Sequence, residues 1–201
     1  MNVLMKLLQV IFTLMILPFV YFAVYYLPSH MVAYPTDAVK MFMVGALAFV
    51  AIYLFIYQGR EIQAAGQNVI SKIFAFSPPA QSMAVKVFSF YLLVSILLFF
   101  VVSRGFGLTQ YNPHLMFLMG FFFAMHNVLT AVSMQEEDSN KIFKIDYLSS
   151  FIMVLTVNII ILILLFDAVK VKWTFGDYAW KVLESGRDTI IWTIDHLPFR
   201  K

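Results

Sequence analysis

The chain has 201 residues, of which 62% are hydrophobic and 12% charged, about half the charged share of an average soluble domain. The composition excludes a water-soluble enzyme or binding domain, and the mild formal charge of +3 gives no support to direct nucleic-acid binding. The absence of cysteine removes disulfides, thiolate metal sites and cysteine nucleophiles.

In lipid, a lone segment must pair its own backbone groups, so apolar runs of this kind form helices. The expected fold is therefore all-α, a polytopic helical membrane protein of four to five transmembrane helices plus an amphipathic C-terminal helix. Residues 1–167 form the transmembrane domain and 168–201 the tail.

The first apolar segment, 7–27, follows Lys6. It is longer than a signal-peptide core and has no small-x-small cleavage pattern behind it, so it reads as a retained helix with a soft kink at Pro18. The link PSHMVAYPTDAVK is a turn, and Thr36 with Asp37 offers N-cap chemistry for the second segment, 38–57. Within that segment Gly45, Ala48 and Ala51 make a stripe of small residues suited to close helix packing and assembly.

The longest link holds an amphipathic helix, 58–76. Ile62, Ala65, Val69, Ile73 and Phe76 recur at helical spacing, and Arg60, Glu61, Gln63, Gln67, Asn68 and Lys72 fill the rest. Ser77-Pro78-Pro79 stops it. Such a helix rests on the bundle or the membrane, or presents a docking face to a partner.

Segment 84–102 follows. The glycine-rich link SRGFGLTQYNPH after it lacks the spacing and the Lys-Ser/Thr of a phosphate loop. Segment 115–133 carries His126 and Asn127 well inside it. Segment 147–166, YLSSFIMVLTVNIIILILLF, carries no charge and at 1.5 Å per residue covers about 30 Å, the thickness of a bilayer core.

In the tail, Phe175, Ala179, Val182, Leu183, Ile190, Ile194 and Leu197 form a stripe at helical spacing, with Gly186 weakening its centre. Lys170, Lys172 and Trp173 follow the last span directly, and Trp180 and Trp192 are rings suited to a headgroup layer. The tail reads as an interfacial or partner-binding helix rather than another span.

Lysine and arginine near a membrane favour the cytoplasm. Five crossings leave the basic residues of either the 58–76 link or the tail on the wrong side. Four crossings, with both termini inside and 115–133 re-entrant or lying against the bundle, distribute them best.

His126 and Asn127 are the sharpest chemical candidates, because ionisable groups at membrane depth are costly and often functional. With Asn158 in the last span they form a candidate intramembrane polar cluster. Hydrogen bonding between neighbouring helices is the favoured reading of that cluster, and a proton or ion pathway is the alternative. His30, His114 and His196 fall in separate places, with no HxxxH or HExxH pair, so no metal is expected and no cofactor. Glu136-Glu137-Asp138 reads as a solvated loop, and Asp167 as an ion-pair partner of Lys170. Ser149 and Ser150 have no companion base or GxSxG setting.

The sequence therefore points to a non-enzymatic membrane subunit that self-associates and uses its two amphipathic helices to recruit a cytoplasmic protein or sense the membrane. The candidate interface residues are Ile62, Val69, Ile73, Trp173, Trp180, Arg187 and Trp192. In size and plan the chain is similar to small bacterial inner-membrane subunits of secretion, transport, stress or defence systems, a likeness of shape that carries no site residues. The alternative function is an oligomeric channel or small transporter with a polar pathway near His126, Asn127 and Asn158.

Overall fold

The computed structural model describes residues 3–55, 60–137, 145–170 and 173–196. The side chains of Glu136, Glu137, Lys170 and Arg60 lie outside the described set, as do Asp138, Lys141, Lys144, Lys172 and the tail from Leu197 onward. Among the described residues all regular structure is helical: α1 (Val3–Met31), α2 (Thr36–Phe55), α3 (Arg60–Ile73), α4 (Pro78–Val87), α5 (Phe90–Phe99), α6 (Asn112–Glu137), α7 (Ile145–Lys170) and α8 (Phe175–Asp195). A π-helical turn, Phe100–Gly105, prolongs α5, and a short 3₁₀ turn, Thr109–Tyr111, leads into α6.

Four helices are long and apolar enough to cross a membrane, at Val10–Met31, Thr36–Phe55, Thr109–Met134 and Ser150–Val169. The 115–133 segment is thus a full-length helix, not the re-entrant piece the charge distribution suggested. The segment that falls short is 84–102. Its helix breaks at Phe88 and Ser89, where both backbones are extended, and its apolar remainder, Phe90–Gly105, is too short to be counted with the four. Leu7, Phe12 and Leu14 on α1 and Leu47, Leu54 and Phe55 on α2 are exposed, a run of apolar surface that soluble monomers rarely carry and that hydrocarbon tolerates.

The chain groups into two compact units, residues 1–33 with 138–201, and residues 34–137. Within the first unit, Phe175, Tyr178 and Val182 of α8 pack with residues of the first helix and the last span.

In the first unit, Ala23, Ile159, Ile163, Tyr178 and Val182 form a core to which Phe19, Phe22, Tyr26, Leu27, Leu155 and Phe175 are added. α1 runs unbroken through Pro18 and Pro28, so the first link begins later than its prolines imply. Ala23 packs at the level of Ile159 and Ile163, while His30 near the end of α1 meets Thr174 just beyond α7. The two helices therefore run in the same direction. α8 then turns back along α1, with Thr174 at His30, the Tyr178 hydroxyl on the Ala23 carbonyl and Gly186 against the Phe19 ring. Gly186 does not weaken a free helix here; a Cβ at this position would overlap the Phe19 side chain, so its bareness permits the approach.

In the second unit α2 and α6 lie alongside each other. Phe49, Met125 and Leu129 make its core, with Tyr53, Tyr91, Phe121 and Phe122 packed on it. Gly45 and Gly120 mark the crossing, since a Cβ on either would run into the backbone of the opposite helix at Phe117 or Phe42. Gly45 is buried in that contact, Ala48 is half-buried and Ala51 is exposed. α5 returns antiparallel to α6, with the Tyr91 and Phe122 rings stacked at 5.5 Å and Val87 beside His126.

Candidate functional site

His126 is buried, and its Nε2 lies 3.2 Å from the carbonyl oxygen of Val87. Val87 is the last residue of α4, at the break in the third apolar segment. A chain that leaves helical geometry in an apolar setting exposes carbonyls that lipid cannot satisfy. The break is closed from several directions: Phe88 N–H donates to Ala84, Ser89 Oγ accepts from Leu92 N–H at 3.3 Å, and His126 reaches the Val87 carbonyl. Next to it, Gln63 Nε2 donates to Thr130 Oγ1 at 3.3 Å and the Tyr91 hydroxyl donates to the Ile62 carbonyl at 2.8 Å, which fastens α3 to α5 and α6.

Asn127 bonds to the Phe123 carbonyl one turn back on its own helix, and Asn158, in the first unit, does the same to Val154. Thr156 also bonds back, to Ile152. All these polar groups are thus occupied by backbone within their own unit.

The exposed faces of the amphipathic helices differ from the sequence pattern in an informative way. On α3 the docked side consists of Gln63, Gly66 and Ile70. The apolar stripe, Ile62, Val69 and Ile73, continued by Phe76 beyond the helix end, is exposed, with Phe76 at 82%. At roughly 100° per residue, that stripe lies between the docked side and a polar sector containing Glu61, Asn68 and Lys72. The helix has three faces rather than two. Burial of Gln63 and Gly66 in place of the isoleucines follows from the hydrogen bonds that Gln63 and the Ile62 carbonyl make, and from Tyr91 and Phe90 packing on Gly66.

α8 repeats the arrangement. Tyr178, Val182 and Gly186 are buried. Trp180, Leu183, Ile191 and Ile194 are exposed beside them, and Asp177, Glu184 and Asp188 occupy the remaining side. Leu183 and Ile194, expected to sit with Val182, therefore face outward, and Tyr178 and Gly186 take their places. Trp173 is exposed, with its ring 6.0 Å from that of Phe175. Trp192 stacks on His196 at 4.4 Å. Arg187 forms an exposed ion pair with Asp188 at 2.9 Å, worth at most about 1 kcal/mol.

At the top of this unit Asp167 is buried and accepts hydrogen bonds from the backbone N–H groups of Thr174 and Phe175, both at 2.8 Å, and from the Thr174 hydroxyl. The carboxylate thus caps the N-terminus of α8, whose own cap residue Thr174 contributes no side-chain cap. Thr174 spends its single hydroxyl proton on Asp167, so at 3.2 Å its oxygen accepts from His30 Nε2, which must carry the proton. Asp167, Thr174 and His30 form one chain linking the ends of α7, α8 and α1.

Below it lies an open cleft of about 260 Å³ lined by Tyr26, Ser29, His30, Ala33, Asp177, Tyr178 and Lys181. Lys181 Nζ sits 4.9 Å over the Tyr26 ring, and the Tyr26 hydroxyl is 2.9 Å from Ser185 Oγ. Burial pushes the Tyr178 phenol up to about 12. The His30 ring centroid is 4.9 Å from that of Tyr178.

Sequence reasoning missed this constellation. Asp167 meets Thr174 seven residues on, beyond the end of α7, where no helical period carries the contact, and the His30 partner is 144 residues away. Among the described residues no group of three His, Asp or Glu converges as a metal site. No family model, curated protein or solved structure matches the chain.

Proposed function

We propose that the protein is a non-enzymatic integral membrane subunit that reads the membrane surface through its amphipathic helix α3. One observation carries this reading: the exposed apolar stripe Ile62, Val69, Ile73, Phe76 lies between a docked side and a polar side of α3. A helix lying at a lipid–water boundary beside a bundle needs one face for protein, one for acyl chains and one for water. A helix wholly in water needs no such stripe, and one serving only as packing would bury it. In small size and plan the chain suits a bacterial inner-membrane assembly, and its exposed α1 and α2 faces suit association with further copies or lipid.

The chain has no cysteine, so single cysteines at Ile62, Val69, Ile73, Asn68 and Lys72 can each carry a fluorophore in reconstituted protein. Brominated lipids should quench the first three strongly and the last two weakly. Equal and weak quenching at all five positions would remove the membrane-surface role.

A further inference from the structure

The cleft between α1 and the first turns of α8 is built where two apolar runs end. The span of α1 closes at Met31 and that of α7 at Val169, and Trp173 is exposed beside it, a ring type that settles at headgroup level. Its charged groups are opposite in sign. Asp177 and Lys181 stand four residues apart on α8, a spacing that commonly gives an ion pair, yet no ion pair joins them; Lys181 is held over the Tyr26 ring instead. The Ser29 hydroxyl donates to the Tyr26 carbonyl at 2.8 Å, and Tyr26 and Tyr178 supply aromatic walls.

We propose that this cleft binds the headgroup of a zwitterionic phospholipid, with the phosphate at Lys181 and the ammonium at Asp177. The separated charges match a phosphate and an ammonium joined by a short linker. An anionic headgroup without the ammonium would meet Asp177 as a like charge. A volume of about 260 Å³ lies below the usual range of about 300–1,000 Å³ for drug-sized ligands, which suits a headgroup whose acyl chains remain outside. The Asp167–Thr174–His30 chain holds the two walls in register, because it ties the end of α1 to the start of α8. The inference goes beyond the surface-reading role and shares only its membrane setting; α3 contributes nothing to the cleft.

The test is native mass spectrometry of the full chain released from micelles containing equal phosphatidylethanolamine, phosphatidylcholine and phosphatidylglycerol, with soluble phosphoethanolamine as a competitor. The intact protein should retain the two zwitterions over phosphatidylglycerol. Lys181→Met should weaken all three by about tenfold, the scale of one charge-assisted hydrogen bond. Asp177→Asn should leave phosphate binding but erase the preference, a change that simple loss of structure would not produce. Competition by phosphoethanolamine alone would show a soluble phosphoester also fits; its failure to compete would assign the site to membrane lipid, and both outcomes support the shared chemistry. Equal retention of the three lipids by the intact protein, or an unchanged preference in Asp177→Asn with helicity intact, would overturn it.

Discussion

Gly45 on α2 and Gly120 on α6 each press against the other helix's backbone, Gly45 at the Phe117 carbonyl and Gly120 at that of Phe42. Between apolar helices in lipid, attraction comes from close packing rather than from exclusion of water, so bare positions at a crossing decide how near the axes come. Gly45→Ala and Gly120→Ala should each lower stability in detergent by about 1–3 kcal/mol through overpacking. Gly105→Ala, whose added Cβ would come no closer than 3.9 Å to a neighbour, should change the thermal midpoint little. Equal midpoints for all three variants would refute the crossing.

His126 holds the Val87 carbonyl at the broken end of α4. His126→Leu leaves that carbonyl without this donor and should cost about 1–3 kcal/mol, with hydrogen exchange rising locally around residues 87–92. His126→Gln, which retains a donor, should recover part of the loss. Unaltered exchange in His126→Leu would show that the break is held by other contacts.

Asp167 caps α8 through the Thr174 and Phe175 amides. Asp167→Ala should destabilise the docking of α8 by about 1–2 kcal/mol, in the range of lost N-caps, and the Thr174–Tyr178 amides should exchange faster. Asp167→Asn keeps an acceptor but loses the charge facing the helix dipole, and should fall between the two. The expected order is intact, Asn, then Ala, read by exchange mass spectrometry.

Tyr178 has its phenol pushed up to about 12 by burial, above its ordinary value near 10. The neutral form is favoured in the folded protein, so this contribution is fully present below about pH 10 and is lost as pH rises through about 12. In an alkaline titration followed by tyrosinate absorbance, the intact protein should show a late phase near pH 12 from Tyr178. Tyr178→Phe should delete the late phase only. A single early transition in the intact protein would contradict the burial.

Much of the architecture was already legible in composition and pattern. Long uncharged runs such as 147–166 can only be helices in lipid, because the backbone has no other partner there, and the spacing of Ile62, Val69 and Ile73 marks an amphipathic helix. Periodicity says that a face is apolar, but not whether protein or lipid covers it. Gln63 and Gly66 won the docked side of α3 through hydrogen bonds and a close ring contact made by residues far along the chain. Likewise, the Phe88–Ser89 break in an apolar run is stable because His126, on another helix, reaches its open carbonyl. The turn of α8 back along α1 depends on Asp167 meeting two amides and on Phe19 fitting over Gly186. Hydropathy is a local property of each segment, whereas hydrogen-bond partners across many residues and the fit of side chains into bare positions exist only once the segments have packed, and these decided where the polar residues of this protein came to rest.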